Sequence, residues 1–269
     1  MAKSEFQFQD LNGKTLVLTG MTRGIGRAIL GGLLAQGLRI IAISRGMEQM
    51  VAIRAELGVD ESRLVLRECD LSDPAAVEAT GRWLLEEAGP IDGILHNAAI
   101  DPRETIEKGD HAYWLNVFQV NLFSAVTLTR LILPRLRESA QGRILFTGSV
   151  VFELGTAYLS AYAASKGAVV GLTHSLAHEL KGTGITVNCV VPGAIEVEKE
   201  NLHEELNRRI IDWQSIPRRL TPADLLGPIC LLLSTAGGGI TAQTITVDGG
   251  LIHPIADGSA QGRLLGAER

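Results

Sequence analysis

Thr15-Leu-Val-Leu-Thr-Gly20-Met-Thr-Arg-Gly-Ile-Gly26 is the stretch that decides the fold. Residues 15–18 are a short apolar run without polar alternation, the pattern of a strand covered on both faces. A glycine-rich turn follows, then a helical pattern from about residue 27 to Gln36 that Gly37 stops, then a second strand, Arg39–Ser44. Strand, glycine turn, helix and strand in this order make a βαβ unit. Gly20, Gly24 and Gly26 are spaced Gly-x-x-x-Gly-x-Gly rather than Gly-x-Gly-x-x-Gly. The physical use is the same: a tight turn lets backbone approach a pyrophosphate at a helix N-terminus. A plain flexible β–α loop is the alternative, and the position directly after the first strand favours dinucleotide binding.

The alternation continues along the chain. Helical patterns at Met47–Leu57, 74–87, 113–130, 157–180 and Ala223–Leu233 alternate with apolar strands at 63–69, Gly93–His96, Arg143–Thr147, 186–190 and 244–247. Apolar strands between helices predict an α/β fold of three layers, a mostly parallel sheet with helices on both faces. No repeat or linker interrupts it, so residues 1–269 read as a single Rossmann-type domain. Two polar insertions follow strands, at 101–110 and 194–217, at the edge where ligands bind in this architecture. The second reads as a substrate lid, and 251–269 as a C-terminal tail.

Composition bounds the rest. With 46% hydrophobic and 20% charged residues, the 269-residue chain can bury a core and is not globally disordered. The net charge of -5, without a block of like charges, offers no footprint for nucleic acid or an anionic membrane. Cys69, Cys189 and Cys230 are isolated among apolar neighbours, as core side chains rather than disulfides or metal ligands. The six histidines form no ligand cluster with carboxylates, so no metal is expected. No signal segment or uninterrupted membrane span is read, and a cytoplasmic location is expected.

Candidate site residues fall at strand ends. An acidic residue after the second strand would bind a ribose diol and repel a 2′-phosphate. Here stand Ser44 and Arg45, with Arg23 in the glycine turn. Two guanidinium groups and a hydroxyl suit a 2′-phosphate, which predicts NADP. Asp70 either hydrogen-bonds the adenine amine or caps the helix that follows Leu71. Ser149 lies just beyond the Arg143–Thr147 strand. Tyr162 and Lys166 stand four apart on one helix face, where an ammonium favours the phenolate. Asn121, in an apolar helical stretch, either opens the helix to a water or faces solvent.

These pieces together resemble a classical short-chain dehydrogenase/reductase: the 19–26 turn, Cys69-Asp70-Leu71, His96-Asn97-Ala98-Ala99, Asn121, Ser149, Tyr162-Ala-Ala-Ser-Lys166, Pro192-Gly193 and Asp248-Gly249-Gly250. The resemblance implies a seven-stranded sheet and a homotetramer or homodimer. It implies that Tyr162 exchanges the proton with the substrate oxygen, Lys166 lowers the tyrosine pKa and holds the nicotinamide ribose, Ser149 polarises the substrate oxygen, and Asn121 holds a water. The cofactor would touch Gly20, Thr22, Arg23, Gly24, Ile25, Gly26, Ser44, Arg45, Asp70, Leu71, Asn97, Ala98, Tyr162, Lys166, Pro192, Gly193 and Ile195. Three positions depart from the family pattern: His96 stands for an asparagine and reads as a satisfied strand-end residue, not a general base, Ala99 replaces a glycine, and Val197 stands where a threonine is usual.

The expected partner is a small-molecule carbonyl or alcohol, held by Ser149, Val151, Glu153 and Tyr162, with Tyr158, Trp213 and the lid nearby. Glu196, Glu198, Glu200, His203, Glu204 and Glu205 read as a solvated lid surface. The expected function is an NADP(H)-dependent oxidoreductase. An NAD(H)-dependent sugar or polyol dehydrogenase, a 3-oxoacyl-carrier-protein reductase and a non-enzymatic dinucleotide-responsive regulator are the alternatives. An acyl carrier would require Arg103, Lys108, Arg208, Arg209, Arg218 and Arg219 to converge.

Overall fold

β-branched and leucine-rich runs form the centre of the molecule because they can be covered on both faces. β1 (Thr15–Thr19) and β5 (Arg143–Thr147) are buried at every position. In the computed structural model, which describes residues 7–197 and 204–252, these strands belong to a seven-stranded parallel sheet. The other strands are β2 (Arg39–Ser44), β3 (Leu64–Glu68), β4 (Gly93–His96), β6 (Thr186–Pro192) and β7 (Gln243–Val247). Their order is β3-β2-β1-β4-β5-β6-β7. The chain winds outward from β1 to β3 and then returns to lay β4 on the other side of β1. That reversal opens a crevice at the carboxyl ends of β1 and β4.

Successive strand residues point to opposite faces, so two cores form. Leu16, Leu18, Ile40, Leu95 and Leu145 meet Ile29, Leu30, Leu33, Leu225 and Ile229 of α1 (Gly24–Ala35) and α9 (Ala223–Leu233). Val17, Ile41, Ile94 and Ile144 meet Val77, Leu84, Leu128, Ile132 and Val169 from α3 (Pro74–Glu86), α5 (Ser124–Glu138) and α7 (Ser160–Glu179). α2 (Met47–Leu57) covers β3 through Met50 and Ile53. Cys69, Cys189 and Cys230 are free and buried, as expected.

Several boundaries differ from the sequence reading. The helix expected over 113–130 is a longer run: α4 (His111–Phe118), a π turn at Gln119–Phe123, and α5. Pro134 lies inside α5 without ending it. Its missing N–H frees the carbonyl of Arg130, which sits on the exposed face where water can take it. The run His111–Glu138 is long and apolar enough to cross a membrane by length and composition, contrary to the expectation that no stretch approaches a span. Here it packs on α3 and α7, with Val117, Leu128 and Leu136 fully buried. The helix expected from 157 starts at Ser160, and Val151–Leu154 forms a separate turn, α6. The lid contains an unexpected helix, α8 (Glu204–Trp213), whose first-turn Glu204 and Glu205 suit a helix N-terminus. Glu198, Glu200 and His203 of the lid, and the tail from 253 onward, lie outside the described residues.

Gly26 states the packing constraint of the first turn most sharply. A Cβ there would stand 2.0 Å from the Gly20 carbonyl oxygen and 2.5 Å from Asn97 Nδ2. Neither atom can retreat without breaking the bond between them. Gly26→Ala is therefore expected to lower stability by about 2–3 kcal/mol in urea denaturation. An unchanged midpoint would contradict this packing.

Candidate active site

The glycine turn is held open by its neighbours across the sheet. Asn97, just past β4, donates through Nδ2 to the carbonyls of Thr19 and Gly20, both at 3.1 Å. Thr19 Oγ1 accepts from the backbone N–H groups of Asn97 and Ala98, both at 3.0 Å. Gly20 has φ +79, and an added Cβ would meet Ala98 Cα at 2.9 Å. Gly24 has φ +60 and nothing within 4 Å of an added Cβ. These two glycines border a cleft of about 790 Å³ that runs along the carboxyl edge of the sheet.

The cleft gathers most of the residues singled out in the sequence. Thr22, Arg23, Ile25, Ser44, Arg45, Asp70 and Leu71 line one end. Asn97 and Ala98 line the centre, and Ser149, Tyr162, Lys166, Pro192, Gly193 and Ile195 the other end, with Val151 beside them. Five expected residues do not line it: Asn121 is buried behind the wall, Trp213 is exposed on α8, and Gly26, Glu153 and Tyr158 also lie off it. Gly26 is buried behind the turn, where its role is packing. Glu153 is exposed on α6 and does not line the cleft, because the short helix turns it outward. Tyr158 is likewise exposed and off the cleft, at a left-handed φ of 67.

At the first end, Ser44 is buried and its Oγ accepts from Met21 N–H at 2.8 Å, leaving the hydroxyl proton to donate. Arg45 lies 3.9 Å from Asp70, both well exposed. Asp70 does not cap α3; Asp73 does, accepting from Ala75 N–H at 2.9 Å. Asp70 instead accepts from the backbone and hydroxyl of Ser72, which hold its carboxyl below the usual range against partial burial.

At the other end, burial dominates the electrostatics. Lys166 is 2% exposed, and loss of hydration pulls its pKa down to about 8. Its Nζ donates to the Thr147 carbonyl at 2.6 Å and lies 5.7 Å from the Tyr162 ring centroid. Burial pushes the Tyr162 phenol up, the Ser149 hydroxyl opposes this, and the charge of Asp101 adds to it. Lys166 is turned toward the Thr147 carbonyl, and desolvation is the largest influence on the phenol. Cys189, beneath this pair, is pushed up to about 11 by burial and stays a thiol. His96 is stacked on Phe146, hydrogen-bonded to Thr129 Oγ1 at 2.8 Å, and kept neutral by burial. It is a satisfied strand-end side chain, as expected.

Asn121 neither faces solvent nor has a free amide. It is 4% exposed, and its Oδ1 accepts from Ile100 N–H at 2.8 Å. Its Nδ2 donates to Ile100 O at 2.9 Å and to Ser165 Oγ at 3.0 Å. Both amide protons are therefore used. The π turn around it skips one helical acceptor, so a water here would use a main-chain carbonyl.

Sequence reasoning missed Ser72 and Asn116, which also line the cleft, covered Leu206 and Ile210 only as part of the lid, named Arg103 and Arg219 only for an acyl-carrier patch, and did not single out Asp101. The available signal was position: Asp101 and Arg103 open the first polar insertion, and Arg219 follows the second. Val197, in the place of a threonine, also lines the cleft. Among the described residues, no group of three His, Cys, Asp or Glu side chains is arranged to hold a metal.

The comparisons agree with this geometry. Residues 14–207 match the short chain dehydrogenase family. The chain is 32% identical over 243 residues to the 3-oxoacyl-[acyl-carrier-protein] reductase FabG of Escherichia coli (strain K12), covering 90% of this chain and 98% of that one. Among solved structures it superimposes on a short-chain dehydrogenase/reductase, glucose/ribitol dehydrogenase, from Brucella melitensis with TM-score 0.84 and 29% identity, over 91% of this chain and 99% of that one. It also superimposes on the RhlG/NADP active-site complex of Pseudomonas aeruginosa with TM-score 0.82 and 27% identity, over 91% and 98% of the two chains. A seven-stranded parallel sheet that opens at the β1/β4 reversal, together with a family match over 14–207, makes this chain a member of the short-chain dehydrogenase/reductase family of oxidoreductases.

Proposed function

We propose that the chain is an NADP(H)-dependent oxidoreductase that interconverts a carbonyl and a secondary alcohol, with reduction as its working direction. The observation that carries this reading is the convergence of Ser149, Tyr162 and Lys166 on the cleft bordered by the glycine turn. Tyr162 gives its phenolic proton to the substrate oxygen during reduction and takes it back during oxidation. Ser149 donates a hydrogen bond to the same oxygen as it gains alkoxide character. Lys166, released from Thr147, stabilises the phenolate and takes the ribose hydroxyls. Asn121 positions rather than reacts: it holds the Ile100 backbone and, through Ser165, the helix that carries Tyr162.

The residues present fit a dinucleotide. The open cradle at Gly24 leaves room for a pyrophosphate at the α1 N-terminus. When bound, the nicotinamide supplies the hydride, which no side chain can. Arg23 and Arg45 are exposed at the far end, with no acidic residue closing β2, and this favours a 2′-phosphate. The RhlG structure carries NADP, which supports the same choice. Asp70, 3.9 Å from Arg45, is a competing charge that the phosphate must displace.

The acyl-carrier reading finds less support than the likeness to FabG alone suggests. Arg208 pairs with Glu205, Arg218 pairs with Asp224, and Arg219 is buried, so half of the six residues named for a basic patch are already engaged. Leu115, Phe123 and Val126 expose apolar surface along α4 and α5. This supports self-association as a homodimer or homotetramer.

Following NADPH oxidation against a panel of carbonyl compounds tests the reading. Turnover is expected, and Tyr162→Phe is expected to lower it by at least about a hundredfold while NADPH affinity is kept. Turnover that survives in Tyr162→Phe would contradict the assignment. Arg45→Ala is expected to weaken NADPH binding by about tenfold and to leave NADH binding unchanged. Equal losses for both cofactors in titration calorimetry would remove Arg45 from 2′-phosphate recognition.

A further inference from the structure

Asp101 is a fixed negative charge on the catalytic side of the cleft that none of the roles above uses. It lines the same cleft as Ser149, Tyr162 and Lys166, and it is exposed. Among the described residues its carboxylate makes no hydrogen bond and no ion pair within 4 Å. The backbone that carries it is held on both sides. Ile100, before it, is clamped through both N–H and C=O by Asn121. Pro102, after it, accepts at its carbonyl from Tyr113 Oη at 2.8 Å. Glu104 N–H donates to Tyr158 O at 2.9 Å, tying this loop to the one before α7. The proline further restricts the backbone of Asp101 to extended angles. A side chain so anchored and unpaired is available to a ligand at little cost in ordering.

Resting on the reductase reading, we infer that Asp101 is a substrate-selecting residue: it accepts a hydrogen bond from a hydroxyl or ammonium group beside the reacting carbonyl and excludes substrates with an anionic group there. Its field reaches the reacting groups, since it raises both Tyr162 and Lys166. Arg103, two residues on, lines the cleft but contributes to neither shift. The charge of Asp101, and not that of Arg103, therefore acts on the Tyr162 and Lys166 pair. Val151, Leu154, Leu206 and Ile210 also line the cleft, and their apolar side chains offer a donor group no competing partner. The favoured substrates are small hydroxy ketones of the polyol type or amino ketones, and 2-oxo acids are excluded.

Four three-carbon ketones isolate the effect: acetone, hydroxyacetone, aminoacetone and pyruvate. Each is assayed with NADPH on the full chain and on Asp101→Asn, which keeps the shape and removes the charge, with Asp101→Ser as a second variant. Ratios of kcat/KM between probes on one enzyme cancel changes common to all of them, including changes at Tyr162. The unaltered chain is expected to favour hydroxyacetone over acetone by about tenfold, to turn over aminoacetone at least as well, and to reject pyruvate. In both variants the aminoacetone preference should collapse toward acetone and pyruvate turnover should appear; the hydroxyacetone preference should weaken in Asp101→Asn, which keeps an acceptor oxygen, and collapse in Asp101→Ser, whose shorter side chain withdraws it. In Asp101→Ser, a larger loss for aminoacetone than for hydroxyacetone would identify a cationic substrate, and a larger loss for hydroxyacetone a polyol. Turnover without donor preference, a preference unchanged in the variants, or NADPH binding with hydroxyacetone and aminoacetone both inert would each overturn the role of Asp101. Absence of both NADPH binding and turnover would overturn the reductase reading itself.

Discussion

One buried amide holds the catalytic half of this molecule together. Asn121 spends its carbonyl and both amide protons on Ile100 and Ser165. Ser165 Oγ in turn donates to the Tyr162 carbonyl at 2.7 Å. A continuous chain of bonds therefore runs from the loop after β4, through the π turn, to the backbone of the proposed proton donor. Removing any member would leave buried polar groups unpaired, at about 1–3 kcal/mol for each group stranded. The π turn is the backbone's accommodation to this demand, since it rotates Asn121 inward from an otherwise apolar helix.

Around that scaffold, burial and charge oppose each other. Tyr162 is pushed up and Lys166 down, so both shifts favour neutral side chains in the arrangement described. The lysine has its lowest-cost partner in the Thr147 carbonyl, not the phenol. A ligand that offers Lys166 other acceptors would free it to stabilise the phenolate, which couples binding to proton transfer. Asp101 acts against that change in the tyrosine and in favour of the charged lysine, so a bound donor group that neutralises it alters the same balance.

The fold was legible because its elements repeat: apolar strands, helical spacing and a glycine turn after the first strand leave few alternatives. The candidate catalytic residues stood out by type and order, and Ser149, Tyr162 and Lys166 do line one cleft. What escaped depends on distances between segments far apart in sequence. Gly26 looked like a cofactor contact, whereas it is enclosed by Gly20 and Asn97. Glu153 and Tyr158 lie in the correct segment but point away, and no local pattern records where α6 turns. Spacing reveals that Lys166 is near Tyr162, not that the Thr147 carbonyl holds its ammonium. Asp101 gave no signal beyond its place in a polar insertion; only its unpaired carboxylate beside Tyr162 and Lys166 distinguishes it. The α8 helix was hidden in a run of charges that reads equally well as loop.

We propose that the Asn121 clamp sets the geometry of proton and hydride transfer. Asn121→Ala tests it most directly when amide exchange at Ile100 and the single-turnover rate of NADPH oxidation are measured on the same protein. Faster exchange at Ile100 and a transfer rate lowered by about tenfold or more, with NADPH affinity retained, are the expected results. Faster exchange at Ile100 with an unchanged transfer rate would contradict it.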